Sequence, residues 1–319
     1  MMKTNRLLIF SLVILTGVFT SCSTAPKTLD RKGLVSLMEQ YLNALAKHDP
    51  AAVPLAGGVK FVENTEVTPI GKGLWETTTG GPTQFRIIVP DTVAGQVAFM
   101  GVIEENNNPV ILGARLKVVN SKITEIDHLV VHSNGKPLNI NMSHLRQSFL
   151  ETVAPGERVS REEMLKIADS YYIALTGENG KLAPFADECE RRENGSITAN
   201  DHTQTPEEAA KDDFSVFRKM NCTDQLNTGV MAYITDINRR RFIAVDEIKG
   251  LVFVYSIFVH DGEPKVMKIT GVPGITERAN NYGPFDLPAA HVFKIRAGKI
   301  YDIEAMGYMA KHGIKNGWE

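Results

Sequence analysis

One stretch occurs twice in this chain and restricts its fold more than any other feature. Residues 114–127 read ARLKVVNSKITEID, and residues 291–304 read HVFKIRAGKIYDIE. Lys117 matches Lys294, Lys122 matches Lys299, Ile123 matches Ile300, Ile126 matches Ile303 and Asp127 matches Glu304. In each copy a lysine opens an apolar pair, and two turn-prone residues follow (Asn120-Ser121, Ala297-Gly298). Lys-Ile then starts a second run, which predicts a β-hairpin with a two-residue connection. The matching extends upstream. An offset of 130 pairs Tyr41 with Tyr171, Pro54 with Pro184, Glu63 with Glu193 and Asn64 with Asn194. An offset of 155 pairs Arg86 with Arg241, Asp91 with Asp246 and Gly95 with Gly250, and at the hairpin the offset is 177. The chain reads as two copies of one unit, the second lengthened near residues 195–225 and 260–288.

Each copy opens on a helical pattern. Asp30 is placed as an N-cap before Leu34, Leu37, Met38, Tyr41, Leu42 and Leu45, and Asp49-Pro50 stops the run. Ser160 with Glu163 forms a capping-box pattern ahead of the second apolar stripe. Strands are predicted at 59–64, 83–89, 95–104, 109–119 and 122–132, and a short helix at 142–153. Helices first and antiparallel strands afterwards argue an α+β class. The expected organisation is a leader at 1–22, a first domain at 23–132, a linker at 133–159 and a second domain at 160–319.

Residues 1–22 read as a targeting segment. Lys3 and Arg6 precede the apolar run at 7–19, and small residues lead into Cys22. That arrangement resembles a bacterial lipoprotein processing site, which makes Cys22 the lipidated residue and places the protein in the cell envelope, facing the periplasm from the outer membrane. Without residues 1–21, 33 basic residues face 37 acidic ones, a net charge of −4. Such a balance gives no support for nucleic-acid binding, and the membrane is expected as a partner through the lipid alone. Arg239-Arg240-Arg241 is the one basic run, expected at a solvated strand end near Asp236, Asp246 and Glu247. Cys189 and Cys222 are an even pair in an exported, oxidising setting and are expected to form a disulfide.

The stretches FADECERRENG (185–195), NCTDQLNTGVMAYITDINRRRFIAVDEIKGLVF (221–253), HVFKIRAGKIYDIEA (291–305) and Asn316-Gly317-Trp318 resemble an uncharacterised family of secreted fungal and bacterial proteins. The first copy is similar through YLNALAKHDPAAVPLAGGVKFVEN (41–64) and GLW (73–75). More broadly, both copies resemble the nuclear transport factor 2-like superfamily of cone-shaped α+β barrels. The resemblance implies two tandem cones, each a curved antiparallel sheet closed by helices around a pocket. It also implies that such sheets pack on one another, including between copies in a homo-oligomer. It transfers no reaction, because the superfamily holds cofactor-free isomerases, dehydratases and cyclases beside plain binding modules.

Strand 251–259 (LVFVYSIFV) is apolar at successive positions rather than alternating, so both of its faces are covered. One face then belongs to a cone interior, a setting suited to a small-molecule ligand. A cofactor-free acid–base site needs a proton acceptor and a donor. His291, Glu304 and Tyr255 are the catalytic candidates, with His291 and Glu304 expected to face one another across a strand pair. Tyr233, Asp127 and His128 are the ligand-binding candidates. Glu63-Asn64 and Glu193-Asn194 are expected to fix a turn. Tyr282, Phe285, Tyr308 and Trp318 are expected to plug a cone mouth. His128 and His132 lie about 13 Å apart on a strand, too far for one ion, so no metal is expected. No cofactor is expected either: nucleotide-loop, dinucleotide, nucleophile-elbow and zinc-protease motifs are missing from the sequence. The sequence leaves the protein between a small-molecule-binding lipoprotein, with or without lyase, isomerase or cyclase chemistry, and a non-catalytic interaction protein with self-filled pockets.

Overall fold

The computed structural model describes residues 28–133 and 135–319; the leader and Cys22 lie outside them. Helix α1 (Arg31–Ala46) starts at Asp30, whose side chain accepts the Gly33 N–H at 2.7 Å. Its predicted apolar stripe is buried from Leu34 to Leu45. The first half continues through β1 (Leu55–Glu63), β2 (Glu66–Val67), α2 (Leu74–Thr77), β3 (Thr78–Gly80), β4 (Arg86–Asp91), β5 (Gln96–Glu105), β6 (Asn108–Val119) and β7 (Lys122–His132). The second half begins with α3 (Arg161–Thr176), β8 (Phe185–Glu193) and β9 (Ser196–Ala199). Three short helices, α4 (Pro206–Lys211), α5 (Ser215–Arg218) and α6 (Cys222–Asn227), fill the first of its longer loops. Then come β10 (Asp236–Asp246), β11 (Leu251–His260), the small hairpin β12 (Val266–Lys268) and β13 (Glu277–Ala279), β14 (Phe285–Arg296) and β15 (Lys299–Gly307).

The two halves have one strand order. The first sheet runs β2-β1-β7-β6-β5 with β4 on β5, and the second runs β9-β8-β15-β14-β11-β10. Neither sheet is wholly antiparallel as expected, because β1 pairs parallel with β7, and β8 with β15. Five or more strands lie between the partners of each parallel pair, so the chain can return to the same end, which a single tight hairpin cannot do. The repeated hairpins close as predicted. Asn120 and Ser121, and Ala297 and Gly298, all have φ between 47° and 74°, the two positive-φ residues that a type I′ turn requires. Gly95 and Gly250 also have positive φ (61° and 64°), and their carbonyls accept the Val118 and Ile295 N–H groups. A Cβ on Gly250 would stand 2.0 Å from the Ile295 oxygen, so glycine is required there. Asn64 and Asn194 fix equivalent turns: each side chain both accepts from and donates to one backbone residue, Val130 or Gly307.

Each sheet is buried on two sides. One face packs on its own helix, and the other packs on the opposing sheet, where Phe85, Met100 and Leu129 meet Phe253, Val292 and Met306. Strand β11 therefore has both faces covered, as its unbroken apolar run requires. Between residues 133 and 159 the predicted single helix is replaced by short 3-10 turns. Met142 and Phe149 turn in between the sheets, while Arg146 is drawn to Asp302, Glu304 and the Ile303 carbonyl, and these separate anchors break the helix.

Charges lock the packed halves reciprocally. Arg31, opening α1, binds Asp246 at 2.5 Å, and Arg161, opening α3, binds Asp91 at 2.6 Å. The arginine run does not reach the acids expected for it. Arg239 binds Glu319, Arg240 binds Asp169 at 2.7 Å, and Arg241 crosses to Asp127 of the first half. Trp318 is not a plug for a cone mouth: its Nε1–H donates to the same Asp127 at 2.8 Å. Asp91 also accepts the Val93, Ala94 and Val245 N–H groups. Asp91→Ala leaves the buried Val245 N–H, the turn N–H groups of Val93 and Ala94, and Arg161 without their acceptor, and is expected to lower stability by about 3 kcal/mol in urea unfolding. Arg86→Ala, which removes an exposed pair with Glu39 at 3.4 Å, is expected to cost less than about 1 kcal/mol.

Candidate functional site

The second half encloses a cavity of about 100 Å³ between α3, the sheet and the segment after α6. Alternation along β14 aims Leu287, Ala289 and His291 into it, while Pro288, Ala290 and Val292 face the other way. Helix α3 contributes Tyr171, β8 contributes Arg191 and Glu193, the segment after α6 contributes Tyr233, and β11 contributes His260. The segment that ends the first longer loop, with Met231, Tyr233 and Ile234, thus forms part of the cavity wall.

His291 is 3% exposed and sits within aromatic rings: Phe258 and Phe293 stack near it at centroid distances of 5.4 and 5.8 Å, and Tyr171 and Tyr172 meet it edgewise or tilted. Its Nδ1 has no hydrogen-bond partner among the described residues. Burial, and then the Arg191 charge, pull its pKa down to about 3, so the imidazole is neutral at ordinary pH. His260 stacks on Phe285 at 3.9 Å and beside Tyr233, its Nδ1 likewise unpartnered, and burial pulls it to about 4. Burial pushes the Tyr171 and Tyr233 hydroxyls upward, so both are protonated donors. A neutral imidazole beside phenolic hydroxyls can accept a proton and see it returned.

The expected pairing of His291 with Glu304 is not formed. His291 stands opposite Ala305, and Glu304 stands opposite Val292 on the sheet-to-sheet side. Directly opposed residues share a face, so Glu304 is turned away from the cavity by the pleat. It binds Arg146 at 2.9 Å, and burial pushes its carboxyl upward against the pull of Arg146 and Arg192. Tyr255 also faces the sheet interface, its hydroxyl donating to the Asp127 carbonyl at 3.4 Å. Of the ligand-binding candidates, only Tyr233 lines this cavity. Asp127 is engaged by Arg241 and Trp318 between the halves, and burial raises its carboxyl pKa against the pull of Arg241 and Arg115. His128 belongs to the first half.

There the equivalent space is filled. The cross-strand pair His291–Ala305 has the counterpart Ala114–His128, with the histidine moved to the neighbouring strand. His128 Nε2 pairs with the Tyr41 hydroxyl at 2.8 Å, and Nδ1 with Glu63 at 3.0 Å. Phe61 stands where the second half has Arg191, and its ring packs 4.9 Å from His128. Glu63, which also accepts the Leu74 N–H, is thus bound to the histidine and α2 rather than to its own turn.

Arg191, Tyr171 and His260 were not singled out from sequence. Arg191 lies in a run of alternating charge that reads as a solvated face, and Tyr171 reads as one core position of an amphipathic helix. Cys189 and Cys222 stand as free thiols with sulfurs 2.9 Å apart, joining β8 to α6 beneath Arg191.

The family profile of a domain of unknown function, DUF8021, matches residues 157–307, which contain the cavity. No curated protein matches the chain. Among solved structures it is similar to a de novo designed protein with a curved β-sheet, at 14% identity and a TM-score of 0.26, covering 47% of this chain and 88% of that one. It is also similar to AusH from Aspergillus nidulans, at 13% identity and a TM-score of 0.27, covering 47% and 86%. AclR from Streptomyces galilaeus is similar at 8% identity and a TM-score of 0.26, covering 47% and 81%. Scores of this size do not establish a shared fold.

A neutral buried histidine leaves a signature in stability. The unfolded chain takes up a proton near pH 6.5, whereas folded His291 does so only near pH 3, so stability falls as pH drops through that window. His291→Phe is expected to reduce the acid slope of the urea midpoint between about pH 6.5 and pH 4 relative to the wild type.

Proposed function

We propose that this is a small-molecule-binding protein of the bacterial cell envelope, held by a lipid on Cys22, whose working site is the cavity of the second half. His291 is the proton acceptor and Tyr171 or Tyr233 the donor, for a ligand whose turnover would be of the cofactor-free lyase, isomerase or cyclase kind. The observation that carries this reading is the unpartnered Nδ1 of His291, buried and neutral at a cavity wall. Burying such a group without a partner costs free energy, and a bound ligand supplies the missing hydrogen bond. The first half is a support: a copy of the same unit, arisen by duplication, in which Phe61 and His128 took the place of a ligand.

The interaction-protein reading draws on that filled first half, and one experiment separates the two. Thermal denaturation is followed across a library of small sugars, aromatic metabolites and lipids. A ligand present at a hundredfold excess over its Kd adds about 2.7 kcal/mol to the stability of the native state. A hit that is lost in His291→Ala supports the cavity; silence across the library in both proteins supports the interaction protein.

The cell-envelope placement also bears on Cys189 and Cys222, whose sulfurs are already adjacent and which we expect to be joined in an oxidising compartment. Intact-mass analysis of protein taken from the membrane is expected to show acylation at Cys22 and no alkylation of Cys189 or Cys222 before reduction. An unmodified Cys22 or two readily alkylated thiols would overturn the respective assignment.

A further inference from the structure

The roles given to His291, Tyr171 and Tyr233 leave Arg191 unused. Arg191 is 1% exposed, a guanidinium placed in the wall of a mostly apolar cavity. Its hold is built from neutral groups. Nε donates to Thr198 Oγ1 at 2.9 Å, and Nη2 donates to Gln225 Oε1. Gln225 is itself fixed, its amide donating to the Thr198 and Phe217 carbonyls at 2.6 and 2.8 Å, so its oxygen can only face the arginine. The one carboxylate in reach is Glu193, 3.0 Å from Nε, whose side chain is 49% exposed and therefore screened by water.

The first half indicates what the fold alone requires. At the equivalent strand position it has Phe61, so the sheet and helix close without a charge there. The lengthened loop supplies Gln225, and the thiol pair ties its helix α6 to β8, the strand that carries Arg191. Gln225, from the loop added in the longer copy, thus helps to hold a buried cation in the cavity wall. A buried charge whose one ionic partner is half-exposed and screened still gains from a counter-charge brought into the cavity. Guanidinium groups favour planar oxyanions, which they bind through paired N–H groups.

We infer that the cavity takes a small organic monoanion, a carboxylate or an enolisable acid, whose charged end sits on Arg191 and whose carbon skeleton lies against His291. An apolar cavity of about 150 Å³ accepts benzene, so at about 100 Å³ the enclosed part of the ligand is of that size or smaller. The anionic end also sets the chemistry, because the arginine stabilises the negative charge that appears when neutral His291 removes a proton next to the acid group. This inference rests on the cavity being a ligand site.

The test uses three acids, acetate, crotonate and benzoate, against their amides, acetamide, crotonamide and benzamide, with binding read by thermal shift and calorimetry on the whole protein. One or more of the acids is expected to bind and its amide not. Arg191→Gln is expected to weaken acid binding by about tenfold or more, the worth of a charge-assisted hydrogen bond. Because glutamine is shorter than arginine and empties part of a packed shell, Arg191→Met is the companion: it keeps the length of the side chain and removes the charge, and the same loss is expected. If amides bind as well as acids and His291→Ala abolishes both, the cavity stands and the anion inference falls. Acid binding unchanged in both variants overturns the inference as well. If no acid or amide binds, the inference falls, and the wider ligand library decides the fate of the cavity.

Discussion

Each sheet in this protein must bury both of its faces, and most of the architecture follows from that requirement. A helix covers one face, and among the described residues the other sheet covers the second. Neither half is complete without its neighbour, because Phe85, Met100 and Leu129 have the opposing β11 and β14 as their core. The requirement also fixes where polar groups stand. Acids at the rim of the contact are met by arginines that begin the opposite half's helix, Arg31 to Asp246 and Arg161 to Asp91. Acids within the contact, Asp127 and Glu304, are met by Arg241 and Arg146. With both faces used, the cavity of the second half lies beneath a helix.

The hairpin repeat made much of this legible. Matching residues predicted strands that appear within a few positions, and the positive φ at Asn120, Ser121, Ala297 and Gly298 follows from the residue types themselves. The unbroken apolar run of β11 correctly announced burial on two sides. Pairing direction was hidden: nothing in VKFVEN or FADECERREN distinguishes a parallel neighbour from an antiparallel one. Register was hidden too. A shift of one residue between β14 and β15 decides whether His291 meets Glu304 or Ala305, and β14 is buried on both faces, so the pattern of apolar residues does not select between them. Arg191 escaped notice because a charged residue in a charged run looks solvated. Its burial depends on Thr198 of β9 and on Gln225, which comes from a loop without a counterpart in the first copy.

The two halves show how little separates an occupied interior from a filled one. Tyrosine and glutamate stand at the same places in both, Tyr41 with Glu63 and Tyr171 with Glu193. One histidine faces the interior in each cross-strand pair, but from opposite strands. On β7 it lies within reach of both tyrosine and glutamate, and the three form a closed chain of hydrogen bonds. On β14 it lies among Phe258, Phe293 and the tyrosine rings, with a nitrogen left over. Phenylalanine or arginine at the next position then sets whether the space is greasy and full or polar and open.

The engagement of Asp127 carries a consequence for the order in which the chain is made. The carboxylate lies on β7, yet its partners Arg241 and Trp318 are synthesised much later, the second almost at the end. While the first half is emerging, its apolar outer face therefore carries an acid that lacks most of its neutralising company, with Arg115 the nearby cation of its own sheet. That face resists premature burial until the second half arrives with the complementary charges. The same acid that welds the finished molecule thus serves, on the nascent chain, as a guard against closing on the wrong partner.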